Sequence, residues 1–254
     1  MHNKEIAWNG GVQLEALEVL SQPGGVIVSP TKVGYIIMAT DLAGLERKFE
    51  AKQRKKSKPA VVLCSSLEQF KTLAAYDSKI LELYEMHWEQ DVLLGCILPW
   101  SSEGWAMLEQ AGTQSLVTDA RQTSCFVIKF GTPSELIAGS LWQKERKITF
   151  ASSANPSGVG NRGKVAGIGQ RIEQSVDLII SADEYVSSIQ PGNDEHSRYE
   201  QGVMISLVDD QGALVTNSEV NYPSLIRKGL SMDKIMVNLS RLFDRWDYRH
   251  GSYY

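Results

Sequence analysis

The chain has 254 residues, 43% of them hydrophobic and 22% charged, a balance that excludes disorder, collagen-like repeats and coiled coil as the overall class. Its formal net charge of −4 argues against a protein built mainly to coat nucleic acid. No apolar run approaches the roughly 20 residues of a membrane span and residues 1–11 lack the apolar core of a signal peptide, so the expectation is a soluble cytoplasmic protein with no membrane partner.

In chain order, Val26 to Ser29 is a β-branched run after Gly24-Gly25 that predicts a buried strand delivering a loop, with Pro30 as its stop. Asp41 can cap a helix whose Leu42, Leu45 and Phe49 recur at helical spacing, and which runs into the basic stretch Lys52 to Lys58. Pro59 to Cys64 reads as a strand. Ser66 with Gln69 is a capping-box start, and Asp77 caps a further helix through Met86 with Ile80, Leu81 and Tyr84 on one face. Val92 to Leu98 and Cys125 to Phe130 read as strands. Thr132, Pro133 and Glu135 supply N-cap, N1 and N3 of a helix through Leu141. A strand over Ile148 to Ala151 leads into a loop of small and polar residues, Ser152 to Gly160. Val176 to Ser181 and Gly202 to Val208 are strands, the second turning at Asp209 to Gly212 into a hairpin partner at Ala213 to Thr216. Ser231 to Phe243 is a terminal helix, and residues 244–254 form a polar, aromatic tail, loose or docked on a partner. Without repeats, linkers or composition breaks, residues 1–243 read as a single α/β domain.

Cys64, Cys96 and Cys125 form no C-x-x-C pair and sit in apolar surroundings, so they read as core. The four histidines have no metal-ligand spacing, which speaks against a zinc enzyme or a Ser-His-Asp hydrolase and leaves no metal ligands to name. Three segments carry chemistry. The cations from Lys52 to Lys58, with Arg47 and Lys48 upstream, are either a solvated helix end that complements the helix dipole or a polyphosphate clamp, with Arg54 as a fork and Lys52 as a point charge. Ser152 to Gly160 is either an ordinary turn or a cradle of hydroxyls, an amide and freed backbone N–H groups for a phosphate or base edge. Leu225 to Gly229 says little by itself.

Taken together and in order, these segments resemble the YrdC-like family, the threonylcarbamoyl-adenylate synthases. Gly24 to Thr31 is similar to that family's opening strand and Pro-Thr turn. Phe49 to Arg54, running on to Lys58-Pro59, is similar to its K-x-R segment. Ser152-Ser153-Ala154-Asn155-Pro156-Ser157-Gly158 matches its T-S-A-N-x-S-G loop, and Ile226 to Gly229 its terminal L-R-P-G turn. The resemblance spans about residues 12 to 240. It implies a twisted open α/β sheet with helices and a positively charged concave cavity. It also implies a nucleotidyltransferase that uses ATP, Mg²⁺, bicarbonate and L-threonine to make threonylcarbamoyl-AMP and pyrophosphate for tRNA modification. Carried over by motif, Lys52 and Arg54 would hold the triphosphate as catalytic residues. Ser153, Asn155, Ser157 and Arg227 would contact the nucleotide, and Thr31, Lys32 and Tyr35 would line the amino-acid side. The partners implied are the small-molecule substrates, an electrostatic contact with tRNA or double-stranded RNA, and a downstream protein that receives the carbamoyl group.

The departures from the family pattern are concentrated. Lys32 and Val33 replace an acid and a hydroxyl, Leu63 stands where the family has His near the threonine, and Gln201-Gly202 replaces Ser-Thr. The nucleotide side is kept and the amino-acid side is rewritten. Threonine is therefore the default acceptor, with a different amine as its rival, one whose extra acidic group suits Lys32. A non-catalytic nucleotide- or RNA-binding paralogue is the alternative from another class.

Overall fold

The protein is described by a computed structural model over residues 4–53, 58–156, 159–194, 197–215 and 221–249. In chain order these form β1 (Glu5–Ala7), α1 (Leu14–Ser21), β2 (Val26–Thr31), β3 (Gly34–Ala39), α2 (Leu42–Lys52), β4 (Val61–Leu63), α3 (Leu67–Leu73), α4 (Ser78–Glu89), β5 (Leu94–Pro99), α5 (Ser102–Ala111) and α6 (Gln114–Val117). They continue as β6 (Thr123–Ile128), α7 (Thr132–Glu145), β7 (Thr149–Ser153), α8 (Gln170–Ser175), β8 (Leu178–Ser181), α9 (Asp183–Ile189), β9 (Met204–Ser206), β10 (Ser224–Arg227), α10 (Met232–Leu242) and β11 (Asp247–Tyr248). The expected caps form: Asp41 accepts from the Gly44 N–H at 2.7 Å, Ser66 from Gln69 at 3.0 Å and Asp77 from Ile80 at 2.9 Å. Each satisfies one of the N–H groups that a helix start leaves without an intrahelical acceptor. No helix among the described residues is long and apolar enough to cross a membrane.

The chain divides into two compact units, Met1–Lys56 with Phe130–Gln201, and Ser57–Lys129 with Gly202–Tyr254. No linker composition marks the passages, because each unit is completed by two segments distant in sequence. The first unit carries an open mixed sheet in the order β1, β8, β2, β3, β7, with β1, β8 and β2 parallel and β2, β3 and β7 antiparallel. Every residue of β2 and β3 is buried. That accounts for the uninterrupted apolar stretches over residues 26–28 and 35–39, since a sheet covered on both faces has no solvated side to alternate with; β3 itself was not expected from the sequence. The second unit pairs β4 with β6, β6 with β5, β5 with β9, β9 with β10 and β10 with β11. Its core holds Phe70 stacked on Tyr84 at 3.8 Å, together with the three cysteines. All three are buried, and burial pushes the Cys125 thiol up to about 12, so they are inert core groups.

Several expectations are corrected. Pro30 does not end its strand: β2 runs to Thr31, with Pro30 opposite Tyr35 and beyond Val28, the last residue that pairs with β8, so the missing N–H interrupts no ladder there. The N-cap of α7 is Gly131 rather than Thr132; Glu135 accepts from the Gly131 N–H at 2.9 Å, while the Thr132 N–H goes to the Tyr185 hydroxyl at 3.0 Å. Ser152 and Ser153 belong to β7 rather than to a loop. Among the described residues the hairpin after β9 has one bridge, Val208 to Leu214, flanked by backbone bonds from Asp209 to Ala213 and from Val215 to Leu207, with the Asp209 carboxylate accepting from the Gln211 and Ala213 N–H groups of the turn; Thr216 lies outside the described residues. Of the tail, residues 247–248 are docked as β11, and the Lys228 ammonium lies 4.9 Å over the Tyr248 ring.

Helices α4 and α10 pack through a buried polar cluster. The His87 Nδ1 lies 2.6 Å from the Leu83 carbonyl, which can only accept, so Nδ1 carries the proton and Nε2 faces the Asn238 amide at 3.4 Å as an acceptor. Asn238 is closed by Gln90, with bonds of 2.9 and 3.3 Å. Burial holds the His87 pKa below its ordinary value, with the bond to the Leu83 carbonyl opposing it. A folded-state value below that of the unfolded chain means the unfolded chain binds the extra proton first. Stability from this group is therefore full above the unfolded value of about 6.5 and is lost as pH falls through the folded value. We expect urea midpoints to drop between pH 7.5 and pH 5.5 more steeply in the parent than in His87→Met. Equal slopes in the two proteins would exclude His87 as the titrating group.

Candidate nucleotide site

The site is built where α2 meets the end of β7. Asp41 caps α2, and residues four apart on that helix share a face, so Lys48 and Lys52 both reach β7. The Lys52 ammonium donates to the Ser153 carbonyl, and to the Ser153 hydroxyl at 3.1 Å. Lys48 is fully buried, 3.5 Å from the Ser152 hydroxyl and 4.2 Å from the Phe49 ring centroid. Arg47 turns elsewhere, with a two-pronged bond to Asp177 at 2.7 and 2.9 Å. The basic stretch is thus divided by helix geometry into an ion pair on one side and two buried ammonium groups on the other. It is not a solvated face where Lys52 is concerned, since that residue is 5% exposed.

Past Ser153 the chain leaves the strand and returns to the same point. The Tyr35 carbonyl accepts from the Ala154 N–H at 2.7 Å and from the Asn161 side-chain amide at 2.9 Å, so both ends of the 154–161 loop are pinned to one oxygen. Asn161 in turn accepts from the N–H groups of Gly163 and Tyr199. Gly34, at φ +100°, makes room: a Cβ there would stand 2.1 Å from the Asn161 amide oxygen. Inside the loop Asn155 is buried. Its amide nitrogen donates to the Pro156 carbonyl at 2.9 Å, and its Oδ1 has no hydrogen-bond partner among the described residues. A buried acceptor without a donor is costly, and it matches the hydroxyl or amine of a ligand rather than a phosphate.

The other expected residues are placed as follows. The Thr31 hydroxyl closes the β2–β3 turn, donating to the Gly34 carbonyl at 2.6 Å and accepting from the Val33 N–H at 3.2 Å. Lys32 is partly buried, its carbonyl accepting from Gln190 at 3.0 Å. Tyr35 sits in the core: it is fully buried, donates to Asp183 at 2.5 Å and accepts from the Ala182 N–H at 2.9 Å. Burial and the Asp183 carboxylate hold its pKa well above that of an ordinary phenol, so its side chain supports the site rather than lining it. Arg227 belongs to the other unit, where Nε donates to the Gly202 carbonyl at 2.8 Å. Arg54 and Ser157 lie outside the described residues. No cluster of three acidic, His or Cys side chains suited to a metal occurs among the described residues. Lys48 was noted in the sequence only as one cation of the basic segment, and its i, i+4 relation to Lys52 was the signal that both turn inward; Asn161 went unnoticed, with the Gly160-Asn161-Arg162-Gly163 pattern as the available signal.

Residues 19–191 match the Sua5/YciO/YrdC family, described as "Telomere recombination". No curated protein matches the chain. Among solved structures, a hypothetical protein, smu.1377c from Streptococcus mutans UA159, is 51% identical with a TM-score of 0.91, and the match covers 100% of both chains. Sua5 from P. abyssi in complex with L-threonine is 20% identical with a TM-score of 0.61; the match covers 90% of this chain but 57% of Sua5, so the chain spans little more than half of that protein. YciO from E. coli is 20% identical with a TM-score of 0.60, covering 85% of this chain and 88% of its own. With the family match extending over most of its length and the α/β fold shared with Sua5 and YciO, the chain belongs to the Sua5/YciO/YrdC family.

Proposed function

We propose that the protein is an ATP-using nucleotidyltransferase that joins a carbamoylated amine to AMP and releases pyrophosphate, in the service of tRNA modification. The observation that carries this reading is the pairing of a buried ammonium, Lys52 on Ser153, with the Asn155 Oδ1 in the adjoining loop, which has no partner among the described residues. A phosphate finds a cation there and a nucleoside hydroxyl or amine finds an acceptor. Lys52, with Arg54, would hold the triphosphate. Ser153, Asn155 and Ser157 would hold the nucleoside side, and Arg227 a phosphate or ribose. Mg²⁺ takes most of its ligands from phosphate and water oxygens, so it would arrive with the triphosphate and neutralise it. The amine and bicarbonate condense to an N-carboxylate whose oxygen attacks the α-phosphorus while pyrophosphate leaves. Such chemistry asks for positioning and charge neutralisation rather than a proton relay, which suits a chain with four histidines in 254 residues.

The acceptor is the open half. Sua5 is known here in complex with L-threonine, and threonine is the default, but Lys32 favours an acceptor with an added carboxylate or phosphate. The purified protein, given ATP, Mg²⁺, labelled bicarbonate and a panel of amino acids, should release pyrophosphate in a bicarbonate-dependent way, with threonine matched or beaten by an acidic acceptor. Robust release with threonine alone would make Lys32 a tolerated change. ATP binding without pyrophosphate release for any acceptor favours the second reading, a nucleotide- or RNA-binding paralogue, which the rewritten residues Lys32 and Leu63 support. Electrostatic contact with tRNA or double-stranded RNA, a downstream acceptor of the carbamoyl group and residence in the cytoplasm belong to the same proposal.

A further inference from the structure

We infer that Arg198 is a substrate-contacting residue that receives an oxyanion, phosphate or carboxylate, at the closing end of the 154–161 loop. The inference rests on the nucleotide reading of that loop, and no motif of the sequence includes Arg198.

The segment from Gln190 to Glu200 is fastened at two points. The Gln190 side chain, 6% exposed, donates to the carbonyls of Lys32 at 3.0 Å and Glu200 at 3.2 Å, and accepts from the Glu200 N–H at 2.9 Å. The Tyr199 N–H donates to the Asn161 carbonyl at 2.9 Å, and its ring covers Gly163, where a Cβ would stand 2.3 Å away. One fastening is on the Pro-Thr-Lys turn and the other on the loop. Between them Arg198 is laid across Gly160. A Cβ on Gly160 would stand 2.5 Å from the Arg198 Nε and 2.8 Å from its Cδ, and Gly160 itself lies at φ +81°. The glycine admits the side chain, so the arm of Arg198 has a defined course across the loop rather than trailing in solvent.

Its head is left at the surface, open to a ligand. Arg198 is exposed, and among the described residues it makes no hydrogen bond or ion pair. A guanidinium whose stem is packed has less side-chain freedom to lose on binding and presents a planar fork matched to two oxygens of one oxyanion. The loop returns to the Tyr35 carbonyl one residue beyond Gly160, at the oxygen that also holds Ala154. Arg198 therefore stands beside the start of the nucleotide loop, and Gln190 ties its segment to Lys32. Phosphate of the nucleotide and the acidic group of an acceptor share the chemistry; the experiment separates them.

Calorimetric titration of the parent, Arg198→Gln and Arg198→Lys with ATP, AMP and inorganic pyrophosphate is paired with pyrophosphate-release kinetics for acidic and neutral amino acids. Arg198 is exposed, so both variants should keep the parent melting temperature. If the oxyanion is phosphate, Arg198→Gln weakens pyrophosphate and ATP about 10- to 100-fold, with only partial recovery in Arg198→Lys. If it is the acceptor's, ATP affinity is kept and KM for the acidic acceptor alone rises by a similar factor. Unchanged anion affinity and unchanged acceptor KM in Arg198→Gln overturn the inference even where the parent binds ATP. A parent that binds pyrophosphate but not ATP defeats the nucleotide reading and leaves Arg198 to be judged on the pyrophosphate arm. A parent that binds neither overturns both.

Discussion

Replacing Lys52 by Met should weaken ATP binding on the order of 30- to 1000-fold, the equivalent of about 2–4 kcal/mol for removing one partner of a desolvated charge pair. Methionine is the informative choice because Lys52 is 5% exposed on the buried face of α2. Alanine would add the loss of a packed stem to the loss of charge, whereas methionine keeps most of the volume. The stability cost should be modest, about 1–3 kcal/mol, from leaving the Ser153 carbonyl without its donor. Affinity from calorimetry and stability from thermal melts separate the two effects. The same bonds would also serve a purely structural latch between α2 and the end of β7, and that is the rival. A Lys52→Met protein that melts lower yet binds ATP like the parent would make Lys52 a latch and remove it from the clamp.

Gly34→Ala should be strongly destabilising to the first unit, costing roughly 3–5 kcal/mol. Its backbone is at φ +100°, where a side chain is itself penalised. The added methyl would also meet the Asn161 amide at 2.1 Å, and moving that amide breaks the bond that pins the loop end to the Tyr35 carbonyl. Loss of nucleotide affinity should accompany the loss of stability, because the loop that presents Asn155 would lose one of its two fastenings. Asn161→Ala removes the obstacle, so the double variant should be less destabilised than the sum of the singles, a coupling that urea unfolding of the four proteins measures. Additive costs would mean that the amide moves aside freely and that the loop is not held through Asn161.

Some of this protein is written in local chemistry. The caps at Asp41, Ser66 and Asp77 form because a short acceptor side chain reaches an N–H three residues on, a relation contained in four residues of sequence. The Ser152 to Gly158 stretch could be matched to a family because its small residues and amide stand at fixed spacing within one segment, and the Lys52 segment could be matched for the same reason. Tertiary structure alone decided what those residues touch. Nothing in the basic run says that Arg47 pairs with Asp177 while Lys48 and Lys52 turn inward, since the partners lie 101 to 130 residues away. Tyr35 could be assigned to the substrate side by motif, but its hydroxyl is claimed by Asp183, 148 residues on. Pro30 looked like a stop because its neighbours on either side of the strand were unknown, and a proline is harmless where no ladder continues. Each of these outcomes turns on which distant backbone or side chain arrives at a given donor or acceptor, a choice made by packing two chain segments into one unit rather than by the residues at the site.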